Sequence, residues 1–218
     1  MQVFLDIPPS LKLEEAGAEL GCKVEQLFTP LTRYNPQKPG EHFAIDNGAY
    51  SGLRLKAFEA LLTREFPRRK LCRWVAVPDV VGSARRTREL FDFWSPRLVD
   101  HWKLAYVAQD GQADIDIPWD MIDCIFIGGT TEFKMGSRPF KNHVRQIINC
   151  AKGMRNQWER PIWIHVGRVN TPGRFGYFKD LGADSIDGTG LAKYTWMRHR
   201  IHDAERTPKL ITDEEIKV

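Results

Sequence analysis

The sequence predicts a closed (β/α)8 barrel in a single domain over residues 1–218, and three observations predict it. Short apolar runs alternate with stretches of helical period almost throughout, the pattern of a parallel sheet covered by helices. Eight β candidates can be counted, enough to close a barrel rather than leave an open doubly wound sheet. Of the seven clearest runs, six finish on a polar group or a glycine pair, and the carboxyl ends of strands are where a parallel barrel gathers its chemistry.

In chain order, the first strand candidate is Val3 to Asp6, followed by a helical stretch from Leu11 to Leu20 and an extra strand, Val24 to Phe28. Residues Thr29 to Glu41, rich in Pro, Gly and Asn, read as a long loop at the ligand-binding end. Phe43 to Gly48 is the next strand, then a helix from Leu53 to Phe66, a strand from Trp74 to Asp79, and a helix from Ala84 to Val99 that Ser83 can cap. After the strand Leu104 to Gly111, residues 110–123 leave room for only a helical turn or two. Cys124 to Gly129 is a strand, Phe140 to Trp158 a helix, and Ile162 to Gly167 a strand. Thr171 followed by Pro172 reads as N-cap and first helical residue of a helix to Leu181, with Gly182 as its C-cap. The strand Ser185 to Asp187 and a helix from Lys193 to Ala204 complete the set.

An apolar content of 42% against 28% charged residues describes a globular protein, and 218 residues suffice for a real core without disulfide or metal. Cys22, Cys72, Cys124 and Cys150 are too scattered for a zinc site and read as small core residues of a reducing compartment. No run approaches the ~18 apolar residues of a membrane span, and the strand-like start lacks the marks of a secretory signal, so a cytoplasmic location is expected. The net charge of +4 permits a nucleic-acid partner without demanding one. Basic clusters lie at 64–73, at Arg85, Arg86 and Arg88, and at 193–200, all on or beside helices, where solvated faces ordinarily carry such charge.

Barrel geometry would bring Asp46, Asp79, Gln109, Gly128, Gly129, His165, Arg168 and Asp187 to one mouth. Singly, each strand-end acid or amide could merely cap a helix or turn. Together, several carboxylates without a metal cluster or phosphate loop suit glycosyl transfer, in which one acid attacks a sugar carbon and another moves a proton. Asp79, Gln109 and the Gly128-Gly129 backbone offer donors and acceptors for a purine-like edge, and Tyr50, Tyr106 or Phe133 could stack on its face.

These residues resemble the tRNA-guanine transglycosylases and, more closely, their phage relatives that insert 7-deazaguanine derivatives into DNA. The resemblance runs in order from Asp46 to Asp187. Asp46-Asn-Gly-Ala-Tyr50 is similar to the segment carrying the family's general acid/base, and Val77-Pro-Asp79 to the strand end that reads the guanine edge. Val107-Ala-Gln-Asp-Gly111 and Ile127-Gly-Gly129 are similar to the base-binding segments, and His165-Val-Gly167 with Gly182-Ala-Asp-Ser-Ile-Asp187 resembles the stretch ending in the nucleophile. The sequence departs from the pattern at Asn47, at Ala49 and at Thr130-Thr-Glu-Phe133, and the family's zinc site and C-terminal part have no counterpart, so DNA rather than tRNA is the implied polymer. The resemblance implies Asp187 as nucleophile and Asp46 as acid/base. It also implies Asp79, Gln109, Gly128, Gly129, Tyr50 and Gly167 around a cyano- or aminomethyl-type 7-deazaguanine, and no cofactor.

Arg168, Arg174 and Lys193 follow strand ends and are the candidate phosphate contacts. Asp184 is the rival nucleophile. Asp184 and Asp187 cannot both point inward on a regular strand, so one of them should cap or pair with Arg168 or Arg174. Two other classes stay open on sequence: a metal-dependent barrel hydrolase using Asp6, Asp46, His165 and Asp187, and a non-catalytic module that binds nucleobase or nucleic acid.

Overall fold

The computed structural model describes residues 1–136 and 142–206. Eight parallel strands close on themselves in sequence order. They are β1 (Gln2–Leu5), β2 (Val24–Phe28), β3 (Phe43–Ile45), β4 (Cys72–Ala76), β5 (Leu104–Ala108), β6 (Cys124–Ile127), β7 (Trp163–Val166) and β8 (Ser185–Asp187). Among the described residues there are eight α-helices: α1 (Leu13–Leu20), α2 (Leu55–Glu65), α3 (Ala84–Leu98), α4 (Thr131–Met135), α5 (His143–Gly153), α6 (Pro172–Leu181), α7 (Thr189–Lys193) and α8 (Thr195–Arg206). The (β/α)8 barrel expected from the alternating pattern is therefore what the chain forms. No described helix is long and apolar enough to cross a membrane.

Alternation within each strand divides the apolar residues between two cores. Val3, Leu5, Phe28, Phe43, Val75, Tyr106, Ile125, Ile164 and Ile186 pack outward against the helices. Phe4, Leu27, Ala44, Trp74, Ala76, Val107 and Phe126 fill the barrel itself. Small residues at Ala44, Ala76 and Ala105 make room for Trp74 and Phe126, whose rings meet edge to face at 5.5 Å. This packed plug is the floor on which the site stands.

Caps fall where the sequence places them. Ser83 accepts from the Arg86 N–H, Thr171 accepts from the Arg174 N–H, and Gly182 takes the left-handed conformation that ends α6. Three expectations need correction. The helix expected from Phe140 to Trp158 is shorter: residues 140 and 141 lie outside the described residues, and after Gly153 the chain turns into a bridge between Arg155 and Pro161. The helix expected from Lys193 to Ala204 starts at Thr195 and runs to Arg206, and extended backbone at Tyr194 separates it from a short helix, Thr189–Lys193, that was not expected. Cys150 is exposed on α5, so it is no core residue.

Two connections lack an α-helix, at the two places where the sequence suggested irregularity. Between β5 and β6 only a single turn, Gln112–Asp114, forms. Between β2 and β3 runs the Pro- and Gly-rich loop, and its missing cover is supplied by the Arg64 and Arg68 guanidinium groups lying over the Phe28 and Phe43 rings. Arg64 and Arg68 also pair with buried Glu65, and Arg73 with buried Glu25. Much of the 64–73 cluster is thus structural.

Candidate active site

A cleft of about 820 Å3 opens at the carboxyl ends of the strands, within the size range of small-molecule sites. Phe4, Leu27, Ala76, Val107 and Phe126 form its floor. Around it stand Asp46, Asp79, Gln109, Gly128, Gly129, Gly167, Arg168 and Asp187, with Tyr50 and Lys193 at the rim.

Asp187, the last residue of β8, is fixed at both oxygens. Its Oδ1 accepts from the Arg168 backbone N–H at 2.9 Å, and its Oδ2 lies 3.0 Å from His165 Nε2. His165 is fully buried, with its ring 4.6 Å from both Trp74 and Phe126. Burial lowers its pKa more than Asp187 raises it, so the imidazole is neutral and carries one proton. A carboxylate can only accept, so that proton sits on Nε2 and Nδ1 accepts from Ser185 Oγ at 2.8 Å. Ser185 Oγ in turn accepts from Trp163 Nε1 at 2.7 Å. This chain of donors sets both the histidine tautomer and the direction of the Asp187 carboxylate.

Asp46 faces the same cleft and has no such supply of donors. Burial and then the nearby charge of Asp187 push its carboxyl up to about 7, against one opposing bond from the Gly48 N–H at 2.6 Å. The two acids therefore sit in contrasting environments, one oriented by donors and one holding its proton near neutrality, a separation of roles common to acid/base sites.

Asp79 is the centre of an amide clamp. Asn47 Nδ2 donates to its Oδ1 at 2.8 Å and Gln109 Nε2 to its Oδ2 at 2.5 Å. The amide orientations are themselves fixed, because Asn47 Oδ1 accepts from the Ala49 N–H and Gln109 Oε1 from the Gly82 N–H. Burial still carries the Asp79 carboxyl up to about 6, with both amides opposing. Packing requires glycine at two of the strand ends: a Cβ on Gly128, beside the clamp, would lie 2.8 Å from Gln109 Nε2, and one on Gly167, on the Asp187 side, would lie 2.6 Å from the Phe126 ring. Glycine is thus required at both positions by the protein's own packing, and both residues line the cleft.

Arg168 adopts φ 61, a left-handed conformation uncommon for a side-chain-bearing residue, and this aims its N–H at Asp187. Its guanidinium stacks on Tyr50 at 3.4 Å from the ring centroid, bridging the rim from the β7 side to the β3 side.

Several expected participants lie elsewhere. Arg174 sits at the start of α6, outside the cleft. Tyr106 and Phe133 are buried outside the barrel, Tyr106 against Phe91 on α3, so neither can stack on a ligand. Asp184 is at the amino end of β8, where it accepts from the Ile164 N–H at 2.8 Å instead of pairing with Arg168 or Arg174. Asp6 lines the cleft but accepts hydroxyl bonds from Thr29, Thr32 and Tyr34. Among the described residues no group of three or more His, Cys, Asp or Glu is arranged to hold a metal ion.

Sequence reasoning missed two members. Asn47 appears there only as a departure from a motif, although an amide next to a strand-end acid is a natural clamp. Lys134 lines the cleft on α4, almost fully buried, and its Nζ donates to the Gly167 carbonyl at 2.8 Å. Burial brings its pKa down to about 8, partly restored by Asp187. No apolar periodicity marks so short a helix, so this lysine had no signal.

No protein-family model and no curated protein matches the chain. Among solved structures it is similar to a designed, cube-shaped and highly porous protein cage made by fusing symmetric oligomeric domains. The identity is 13% over 94% of this chain and 71% of that one, with a TM-score of 0.41, a likeness too low to carry an argument.

Proposed function

We propose that the protein is a base-exchange transglycosylase that replaces guanine in DNA with a 7-deazaguanine derivative through a covalent glycosyl-aspartate. The observation that carries this is the pairing of Asp187, oriented by His165 and the Arg168 N–H, with Asp46, whose proton is retained to about pH 7, in one cleft roomy enough for a nucleoside.

Asp187 attacks C1′ of a deoxyguanosine, the C1′–N9 bond breaks, and the departing guanine takes the Asp46 proton. The incoming 7-deazaguanine gives its N9 proton to Asp46, N9 bonds to C1′, and the Asp187–C1′ bond breaks. Two displacements retain the configuration of the sugar. Asp79, Gln109 and the backbone at Gly128, Gly129 and Gly167 hold the base edge. Tyr50 and Arg168 close over it, and Lys193 meets phosphate at the rim. The target nucleotide must leave its stack to reach the cleft. No cofactor is called for, and the cytoplasm of a phage-infected cell would be the setting.

Incubation with plasmid DNA or bulk tRNA and radiolabelled guanine tests this. Label entering DNA with the native protein and not with Asp187→Asn is expected. Label entering only tRNA would keep the reaction and change the polymer. No label in either, with cyano- and aminomethyl-deazaguanine also unreactive, would overturn the proposal.

A further inference from the structure

At the end of the short helix α7 that follows the Asp187 strand, four consecutive residues, Lys193, Tyr194, Thr195 and Trp196, are exposed. Tyr194 and Trp196 leave 49% and 53% of their surface in water, with ring centroids 6.2 Å apart and planes tilted by 32°. The segment is anchored from beneath: Leu191 is fully buried, and buried Arg198 donates to the Leu191 carbonyl at 2.5 Å and to Thr195 Oγ1 at 2.9 Å while pairing with Glu19. Two large rings are thus held facing solvent by a rigid support, although aromatic surface is ordinarily buried.

The surroundings indicate what covers them. Lys193 and Thr195 line the cleft mouth, so the rings adjoin the site rather than a remote face. Arg200 lies 5.9 Å from the Trp196 ring, and neither Lys193 nor Arg200 has an ion-pair partner among the described residues. By contrast Arg85, Arg86 and Arg88 on α3 each pair with an acid, the first two sharing Glu89 and the third on Asp92. Exposed neighbouring rings flanked by uncompensated cations, continuous with a cleft, are the combination that binds unpaired polynucleotide: ring faces take bases of any identity and the cations take phosphates.

We infer that Tyr194 and Trp196 form a stacking platform for the unpaired nucleotides next to the one held in the cleft, with Lys193 and Arg200 on their phosphates. This rests on the nucleic-acid substrate proposed above and adds to it that the strand is engaged unpaired, since a duplex offers no free base faces at the rim.

Fluorescence anisotropy with an end-labelled single-stranded DNA oligonucleotide, the same sequence in RNA, and the blunt DNA duplex tests it without turnover. Single strands should bind at least about tenfold more tightly than duplex. The Tyr194→Ala/Trp196→Ala double variant should lose about 10- to 100-fold in single-strand affinity, the loss of one or two stacked bases. Trp196→Phe, which keeps a ring, should stay within about threefold, and Lys193→Ala should reduce the salt dependence by about one phosphate contact. Both rings are exposed, so an unchanged melting temperature is expected and confirms folding. Preference for DNA or for RNA identifies the polymer, and either upholds the platform. Equal affinity for duplex, unchanged binding by the double variant, or a double variant altered only in self-association would overturn it. If binding behaves as expected while no base is exchanged, transglycosylation alone falls; if exchange occurs and the double variant leaves KM for polymer unchanged, the platform alone falls.

Discussion

At the amino end of the barrel, Glu25 lies buried between Lys23 and Arg73, and Asp123 accepts from Asn156 and pairs with Arg160. At the carboxyl end, Asp46, Asp79 and Asp187 share one cleft, and none has a Lys or Arg partner within ion-pair distance among the described residues. Burial works against Glu25 as it does against Asp46, but Arg73 and Lys23 outweigh it and hold Glu25 below its ordinary value. For Asp46 the next influence after burial is another carboxylate, and the two effects add. Compensated buried acids hold a fold together, whereas uncompensated ones lower its stability and persist for chemistry.

The contrast can be broken most sharply at Asp187. Replacing it with Asn should abolish exchange, by about 10^3-fold or more for loss of a covalent nucleophile, measured as label incorporated under single-turnover conditions. Asp46→Asn should cost about 10^2- to 10^4-fold, the usual contribution of a positioned acid/base. The native rate of the guanine-release step should fall as pH rises through about 7, where Asp46 loses the proton it must donate. A flat profile across that range would remove Asp46 from the role.

Asn47→Ala frees Asp79 from one side of its clamp and should raise KM for the incoming base by about tenfold while changing kcat much less, since the clamp binds rather than reacts. Steady-state kinetics with varied base separate the two constants.

Stability should respond with opposite signs at the two ends. Asp46 has a folded pKa above its unfolded value, so the stability tied to its protonation is complete below about pH 4 and lost as pH rises through about 7. Asp46→Asn should therefore melt about 2–4 °C or more above the native protein at pH 8, a gap that closes towards pH 4. Glu25 has a depressed folded pKa, so its contribution is present at neutral pH and lost in acid. Glu25→Gln, which leaves Arg73 without its partner, should melt lower by about 2–4 °C at pH 7, with the deficit shrinking as pH falls. Calorimetry across pH checks both.

Most of the barrel was legible because its strands are short apolar runs separated by helical period, with caps at Ser83, Thr171 and Gly182. The β2–β3 loop was legible from its Pro and Gly content, but not that Arg64 and Arg68 would replace a helix there, since side-chain cover over a distance has no local pattern. Strand-end acids and glycines gave the cleft its members at Asp46, Asp79, Gln109, Gly128, Gly167 and Asp187. Tyr106 and Phe133 misled because alternation within a strand, and packing behind it, decide whether a ring faces ligand or core. The ordering of Asp187 by His165, Ser185 and Trp163 depends on register between β7 and β8, where His165 pairs with Ser185, which no single segment reveals.

Asp184 and Asp187 stand three residues apart at opposite ends of β8, and the most direct test uses both. A guanine-containing DNA oligonucleotide is mixed with protein in the absence of acceptor base, quenched in denaturant and resolved by gel and intact mass. Native protein and Asp184→Asn should each yield a covalent protein–DNA species carrying the strand without its guanine, and Asp187→Asn should yield none. An adduct that survives in Asp187→Asn, or that disappears in Asp184→Asn while that variant stays folded, would contradict the assignment of chemistry to the uncompensated end of the barrel.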